Sequence, residues 1–174
     1  MLKNTGSERL PIRSVQMTVL GANGNTLHQE NYVSYMPSVV EPGETMLVSE
    51  WMYDFVKEIG KVDSIQISVE TASRVNEKWK QLGDVRAWLD GDYLCVEFTN
   101  TTEKTLFGVI CAATVSDANG KILDMMMQSP YDTDDLGIAQ GSSIVWRKQL
   151  EDAATLKIGT DAVCKAWAYW MEDL

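Results

Sequence analysis

The densest group of side chains able to do chemistry is Asp132-Thr133-Asp134-Asp135, with Asp124 upstream. Calcium is held by several converging oxygens, and closely spaced aspartates supply them. Asp132, Asp134 and Asp135 are therefore the candidate metal ligands, and calcium is the one cofactor the sequence leaves room for. The stretch lacks the spacing and closing glutamate of an EF-hand loop, so the plainer reading is a solvated acidic loop. The sole histidine, His28, has no neighbouring cysteine or paired carboxylate and reads as structural or solvated. Cys95, Cys111 and Cys164 lack the C-x-x-C spacing of a metal site. One disulfide, Cys95 with Cys164 or either with Cys111, competes with three buried thiols acting as small hydrophobes. The thiols are the expectation. No Gly-x-Ser-x-Gly, His-Glu-x-x-His or phosphate-binding glycine loop is present. The chain is not expected to be an enzyme.

Binding is the other chemistry on offer. There are six tryptophans: Trp51, Trp79, Trp88, Trp146, Trp167 and Trp170. Aromatic rings exposed on a sheet face stack on sugars or take a partner's apolar groups. Trp146, Trp167 and Tyr169 are the candidates, with Trp167 and Tyr169 on one face of a strand and Trp170 on the other. The competing reading is that most of the rings are packing. Asn100-Thr101-Thr102 matches a glycosylation acceptor, of use only in a host with that machinery.

The elements that must position these residues come from a repeat. Thr18-Val19-Leu20-Gly21-Ala22-Asn23-Gly24 recurs as Thr114-Val115-Ser116-Asp117-Ala118-Asn119-Gly120, an offset of 114 − 18 = 96. From Asn4/Asn100 to His28/Asp124 the segments align over 25 positions without a gap, and nine pairs are identical, Asn4/Asn100 and Leu10/Leu106 among them. Chance would give roughly one or two at ordinary residue usage. Each copy reads as a strand running into a turn. Val15, Met17 and Val19 alternate, as do Cys111, Ala113 and Val115, and Asn-Gly supplies the positive φ of a tight hairpin. Val40 to Val48 then faces Ile138 to Trp146 at 138 − 40 = 98, each an apolar residue, a glycine turn and a strand. Asp63 to Val69 faces Asp161 to Trp167, again at 98. Short strands spaced by turns, about a hundred residues per unit, predict an all-β chain of two tandem β-sandwich domains related by internal duplication.

The boundaries follow. Residues 1–73 form the first domain, 74–84 a linker and 85–174 the second. In the linker Val75, Trp79 and Leu82 fall at helical spacing and allow a turn or two of helix. The second copy has a predicted pair of strands joined at Asp90-Gly91 ahead of Asn100; the first has only Met1, Leu2 and Lys3 ahead of Asn4. Either leading strands are missing from the first domain or it has an open edge, and an open edge pairs with other chains. The expectation is that Met1 is not the natural start.

Charge narrows the partners. The net charge is −10 and the pI about 4.5, so phosphate contacts of the kind nucleic acid needs are scarce. Anionic membranes repel such a chain, and no apolar run is long enough to span one. Met1-Leu2-Lys3-Asn4 does not open a signal peptide.

Asn100-Thr101-Thr102, Val115 to Leu123 and Ile138 to Ser142 together resemble the FxLYD-like immunoglobulin-type domains of bacterial extracellular proteins. The first copy matches through Asn4-Thr5, Ala22-Asn23-Gly24 and Glu41-Pro42-Gly43-Glu44, and departs at Gly21, where the family's Asp would fall. Neither copy has the Tyr-Asp pair, since Ser116 precedes Asp117. The resemblance implies a tandem Ig-like fold in an extracellular or cell-surface setting and brings no active site with it. The function expected is a non-enzymatic interaction or spacer module for an unknown protein or glycan. A carbohydrate-binding module using exposed tryptophans is the alternative.

Overall fold

A computed structural model describes residues 1–50, 61–73, 79–128, 137–150, 158–159 and 161–172. The chain divides into two compact units, Met1–Glu77 and Lys78–Leu174. Both are built from antiparallel strands in a sandwich-like arrangement, and no helix occurs among the described residues.

The first unit contains β1 (Leu2–Lys3), β2 (Leu10–Gly21), β3 (Thr26–Glu30), β4 (Ser34–Met36), β5 (Val39–Val40), β6 (Thr45–Ser49) and β7 (Val62–Thr71). β2 organises it, pairing with β3 and β7 along its length and with β5 at Leu10–Pro11. A second sheet runs β1-β6-β4. The alternating residues of β2 do what their spacing predicts: Val15, Met17 and Val19 are buried and cluster with Ile12, Val33, Val40 and Met46.

The second unit contains β8 (Trp79–Gln81), β9 (Arg86–Asp90), β10 (Tyr93–Thr99), β11 (Ile110–Ser116), β12 (Ile122–Gln128), β13 (Ser143–Gln149) and β14 (Val163–Met171). Its sheets run β13-β10-β9 and β12-β11-β14-β8. Cys111 lies in one core cluster with Phe98, Leu106 and Val109; Ala113 and Val115 lie in another with Leu94, Val96 and Met126. Residues 79–81, within the stretch whose spacing allowed a helical turn, are strand. They extend the sheet by pairing with Tyr169, Trp170 and Met171.

The two hairpins of the repeat have one geometry. Both carry a bulge, at Val19/Leu20 and at Val115/Ser116. Gly24 (φ 73°) and Gly120 (φ 82°) occupy the left-handed region while the asparagines before them do not. Gly24 N–H donates to Gly21 O and Gly21 N–H to Asn25 O; Gly120 and Asp117 repeat the pattern with Asp117 and Lys121. This is the three-residue loop whose last residue is a left-handed glycine beside a bulge.

Asn4 and Asn100 are equally alike. Each is buried, at 5% and 0% exposure. Asn4 Nδ2 donates to Glu8 O and Val40 O, and its Oδ1 accepts from Gly6 N–H. Asn100 Nδ2 donates to Lys104 O and Ile138 O, and its Oδ1 accepts from Thr102 N–H and from the Thr102 hydroxyl. The glycine turns close on them: Gly43 N–H donates to Asn4 O and Gly141 N–H to Asn100 O.

The last strands match at a different offset from the one read in the sequence. Val19 lies opposite Ile65 and Val115 opposite Cys164, so the hairpins are related by 115 − 19 = 96 and the last strands by 164 − 65 = 99. A one-residue slip in a strand exchanges its faces. Cys164, Ala166, Ala168 and Trp170 consequently face the core in β14.

Candidate interaction surfaces

The predicted site residues do not converge. Asp132, Asp134 and Asp135 lie outside the described residues. Asp124, upstream of them, is engaged elsewhere. It sits opposite Val115 on the core side, its Oδ1 3.4 Å from Lys148 Nζ, and Lys148 also donates to Met125 O. Among the described residues no three His, Cys, Asp or Glu side chains are grouped to hold a metal. His28 is half-buried opposite Val19 in the β2–β3 pair.

The aromatic candidates are less open than an exposed stacking platform requires. Tyr169 is 2% exposed, which corrects its reading as a surface ring: it follows Ala168 in the middle of a sheet that β8 extends on one side. Trp146 packs against both cores of the second unit, because it lies opposite Val96 on the inward face of β13. Trp167 is half-buried, in register with Ala112. Trp170 joins the core cluster of Phe98 and Leu106. Trp51 lies outside the described residues.

Across the outer face of β13-β10-β9 the rings are covered by cations. The Arg86 guanidinium lies 5.4 Å from the centroid of Trp88 and that of Arg147 4.5 Å from the centroid of Tyr93, within the range of a cation–π contact. Arg86 is paired with Glu97, and Arg147 with Asp90 at 2.8 Å. Cys95 lies in register between Trp88 and Arg147 and is 1% exposed. Arg86 lies directly opposite Glu97, Arg147 reaches Tyr93 diagonally from its place opposite Cys95, and Arg86 and Trp88 are neighbours on one face of β9.

Cysteine chemistry is quiet. All three thiols are free; Cys95 and Cys111 are buried, while Cys164 is half-buried. Burial pushes the Cys111 thiol up to about 12. Burial, and then the neighbouring Cys95, also raise the Cys164 thiol above its ordinary value. Neutral thiols are poor nucleophiles and poor ligands. A depression of about 420 Å³ beside Cys164 is lined by Ala87, Trp88, Leu89, Gly159 and Ala162, with no acid or base among them. Asn100, the residue of the glycosylation pattern, is fully buried with its amide nitrogen donating to two carbonyls, so the folded chain offers no acceptor there.

The open surface that sequence reasoning did not single out is β7. Nine of its ten residues are exposed, Ile67 being the half-buried one. Ile65 (55%) and Val69 (38%) lie on the core-facing side, opposite Val19 and Val15. In the second unit the corresponding Cys164 and Ala166 are shielded by a cluster that includes Ala87 and Leu89 of β9. The alternation of Ser64 to Val69 was a signal of a strand; its exposure depends on what other strands leave uncovered.

Compared with protein-family models, curated proteins and solved structures, the chain matches none.

Proposed function

We propose that this chain is a non-enzymatic interaction and spacer module, a tandem of two Ig-like units descended from one ancestral domain and carried by a bacterial secreted or cell-surface protein. The observation that carries the reading is the agreement of Asn4 with Asn100. The two buried amides, 96 residues apart, tie down the same loop positions and the same glycine turn. Reuse of a whole polar device in two units is what duplication leaves behind, and rigid strand-built units joined in series suit spacing and presentation.

Among the described residues, neither the thiols nor the depression beside Cys164 joins a nucleophile to a base, and the enzyme reading gains no support from them. The sugar-binding alternative needs open rings. The described tryptophans are all half-buried, and Trp88 has a guanidinium over it. The partner of such a module is a protein that meets strand edges and backbone more than a pocket, a glycan being the partner of the alternative reading.

Two measurements on the producing cell and the purified chain test the reading. External protease added to intact cells should remove the chain if it is displayed. Retention on columns of immobilised polysaccharides should not exceed that on the bare matrix. Protection from protease until lysis would refute the surface setting, and specific elution by a soluble sugar would replace the spacer reading with the carbohydrate-binding one.

A further inference from the structure

We propose that β7 is a strand-addition edge whose occupant is the β7 of a second copy of this chain, paired antiparallel about Ile67. The inference rests on the interaction-module reading and names a partner for it.

Among the described residues β7 is hydrogen-bonded on one side only, to β2. The corresponding strand of the second unit, β14, lies between β11 and β8 and so is partnered on both sides at its end. Natural sheets protect an edge with Lys, Pro, a bulge or a covering strand. Ser64-Ile65-Gln66-Ile67-Ser68-Val69 carries no charge and no proline. Its β-branched residues alternate with polar ones, a pattern that accepts another strand.

The pattern is self-complementary about Ile67. With Ile67 on the two-fold axis, Ile65 faces the second copy's Val69 and Gln66 faces its Ser68, so apolar meets apolar and polar meets polar. Asp63 then falls opposite Thr71, and Glu70 opposite Ser64. A shift of one residue sets Asp63 against Glu70 and mixes the two faces. A shift to a Gln66 centre sets the Asp63 carboxylate against Val69. Like charges or mismatched faces directly across a ladder are unfavourable; a Ser68 centre avoids both but sets Ile65 against Thr71 instead of Val69, so the Ile67 centre joins the apolar residues most fully. The same pairing brings Ile65, Ile67 and Val69 of both copies into one apolar stripe and reduces the exposure of Ile65 and Val69.

Charge favours this place over others. Two chains of net charge −10 repel, and the uncharged run is where they approach at least cost. A single pair of edge strands is small beside the roughly 1,200–2,000 Å² of a stable interface. The dimer is therefore weak, concentration-dependent, and strengthened by salt that screens the repulsion.

Sedimentation equilibrium of the full chain from about 1 µM to about 1 mM tests it, a range that brackets weak association. The expected result is a mass rising from monomer toward dimer, with more dimer at higher salt. Ser68→Lys should keep the monomer mass throughout with an unchanged melting temperature; Ile65→Lys is the second variant should the first fail to fold. Oxidation of a mixture of the separately made Gln66→Cys and Ser68→Cys chains should give a cross-linked dimer that neither gives alone. A wild-type chain that stays monomeric overturns the proposal, as does a dimer that both lysine variants retain or assembly into open filaments. Any of these leaves the protease and polysaccharide results of the module reading untouched.

Discussion

Asn4 and Asn100 hold their loops by the same hydrogen bonds: the amide nitrogen to a carbonyl four residues on and to a carbonyl just before the glycine turn, the amide oxygen to the N–H two residues on. An asparagine side chain is suited to this because it donates twice and accepts at one planar end.

Removing it should be costly. Asn100→Ala removes one of two donors from Ile138 O, which keeps Leu106 N–H, and from Lys104 O, which keeps the Thr102 hydroxyl, and it takes the acceptor from Thr102 N–H; lost hydrogen bonds of this kind cost about 1–3 kcal/mol together. The expected loss from Asn100→Ala is at the upper part of that range, and that from Asn4→Ala is smaller, because Asn4 is slightly more exposed and lacks the contact from a neighbouring hydroxyl. Urea unfolding of each variant checks the order. Near-equal stability of wild type and Asn100→Ala would contradict the account.

Gly120 tests the hairpin. It has φ 82°, and a Cβ placed there meets nothing within 4 Å, so the cost of a side chain is conformational alone. Gly120→Ala should lose about 1–2 kcal/mol, the penalty of a left-handed residue, and Gly120→Asn less, because asparagine tolerates that region. Thermal melts of the two variants, compared at one pH, read the difference.

The thiol of Cys111 gives a pH dependence with a definite sign. Its pKa is raised from 9.0 to about 12 in the fold by burial. Below pH 9 folded and unfolded chains both hold the proton and its contribution is constant. Above 9 the unfolded chain releases the proton and the folded one keeps it, so stability falls by roughly 1.4 kcal/mol per pH unit until about 12. Cys111→Ala lacks this loss. The stability difference between wild type and variant should therefore slope downward from pH 9 and be flat below it.

The Asp124–Lys148 pair is half-buried, at 19% and 22% side-chain exposure, and Asp124 Oδ2 is buried without a hydrogen-bond partner among the described residues. Breaking such a pair from one side strands the remaining charge, whereas replacing both ends with apolar groups is often neutral. Lys148→Met should destabilise more than Lys148→Met combined with Asp124→Leu. Equal losses from the single and double variants would contradict the pairing.

The hairpins were legible in the sequence because Asn-Gly and alternating Val15, Met17 and Val19 encode turn and strand locally. The register of β14 was not. Cys164, Ala166 and Ala168 line its inner face while Val163, Trp167 and Tyr169 line the other with a single charge, Lys165, so both faces are largely apolar and periodicity chooses poorly between them. β8 was hidden for another reason: three residues are too short for a period, and Trp79 is strand although it shares helical spacing with Leu82; Val75 lies outside the described residues. The covering of Tyr93 by Arg147 needed a cross-strand partner that only folding supplies, whereas Arg86 and Trp88 are two residues apart on one strand. The loop of Asp132, Asp134 and Asp135 lies outside the described residues, and its calcium reading is unchanged from the sequence.

Quenching of tryptophan fluorescence by neutral acrylamide, alone and with a panel of polysaccharides and calcium, tests whether the rings are packing, as the proposed interaction module requires. The account predicts partial shielding that neither addition alters. Strong quenching that one glycan abolishes would contradict it and put a sugar on those rings.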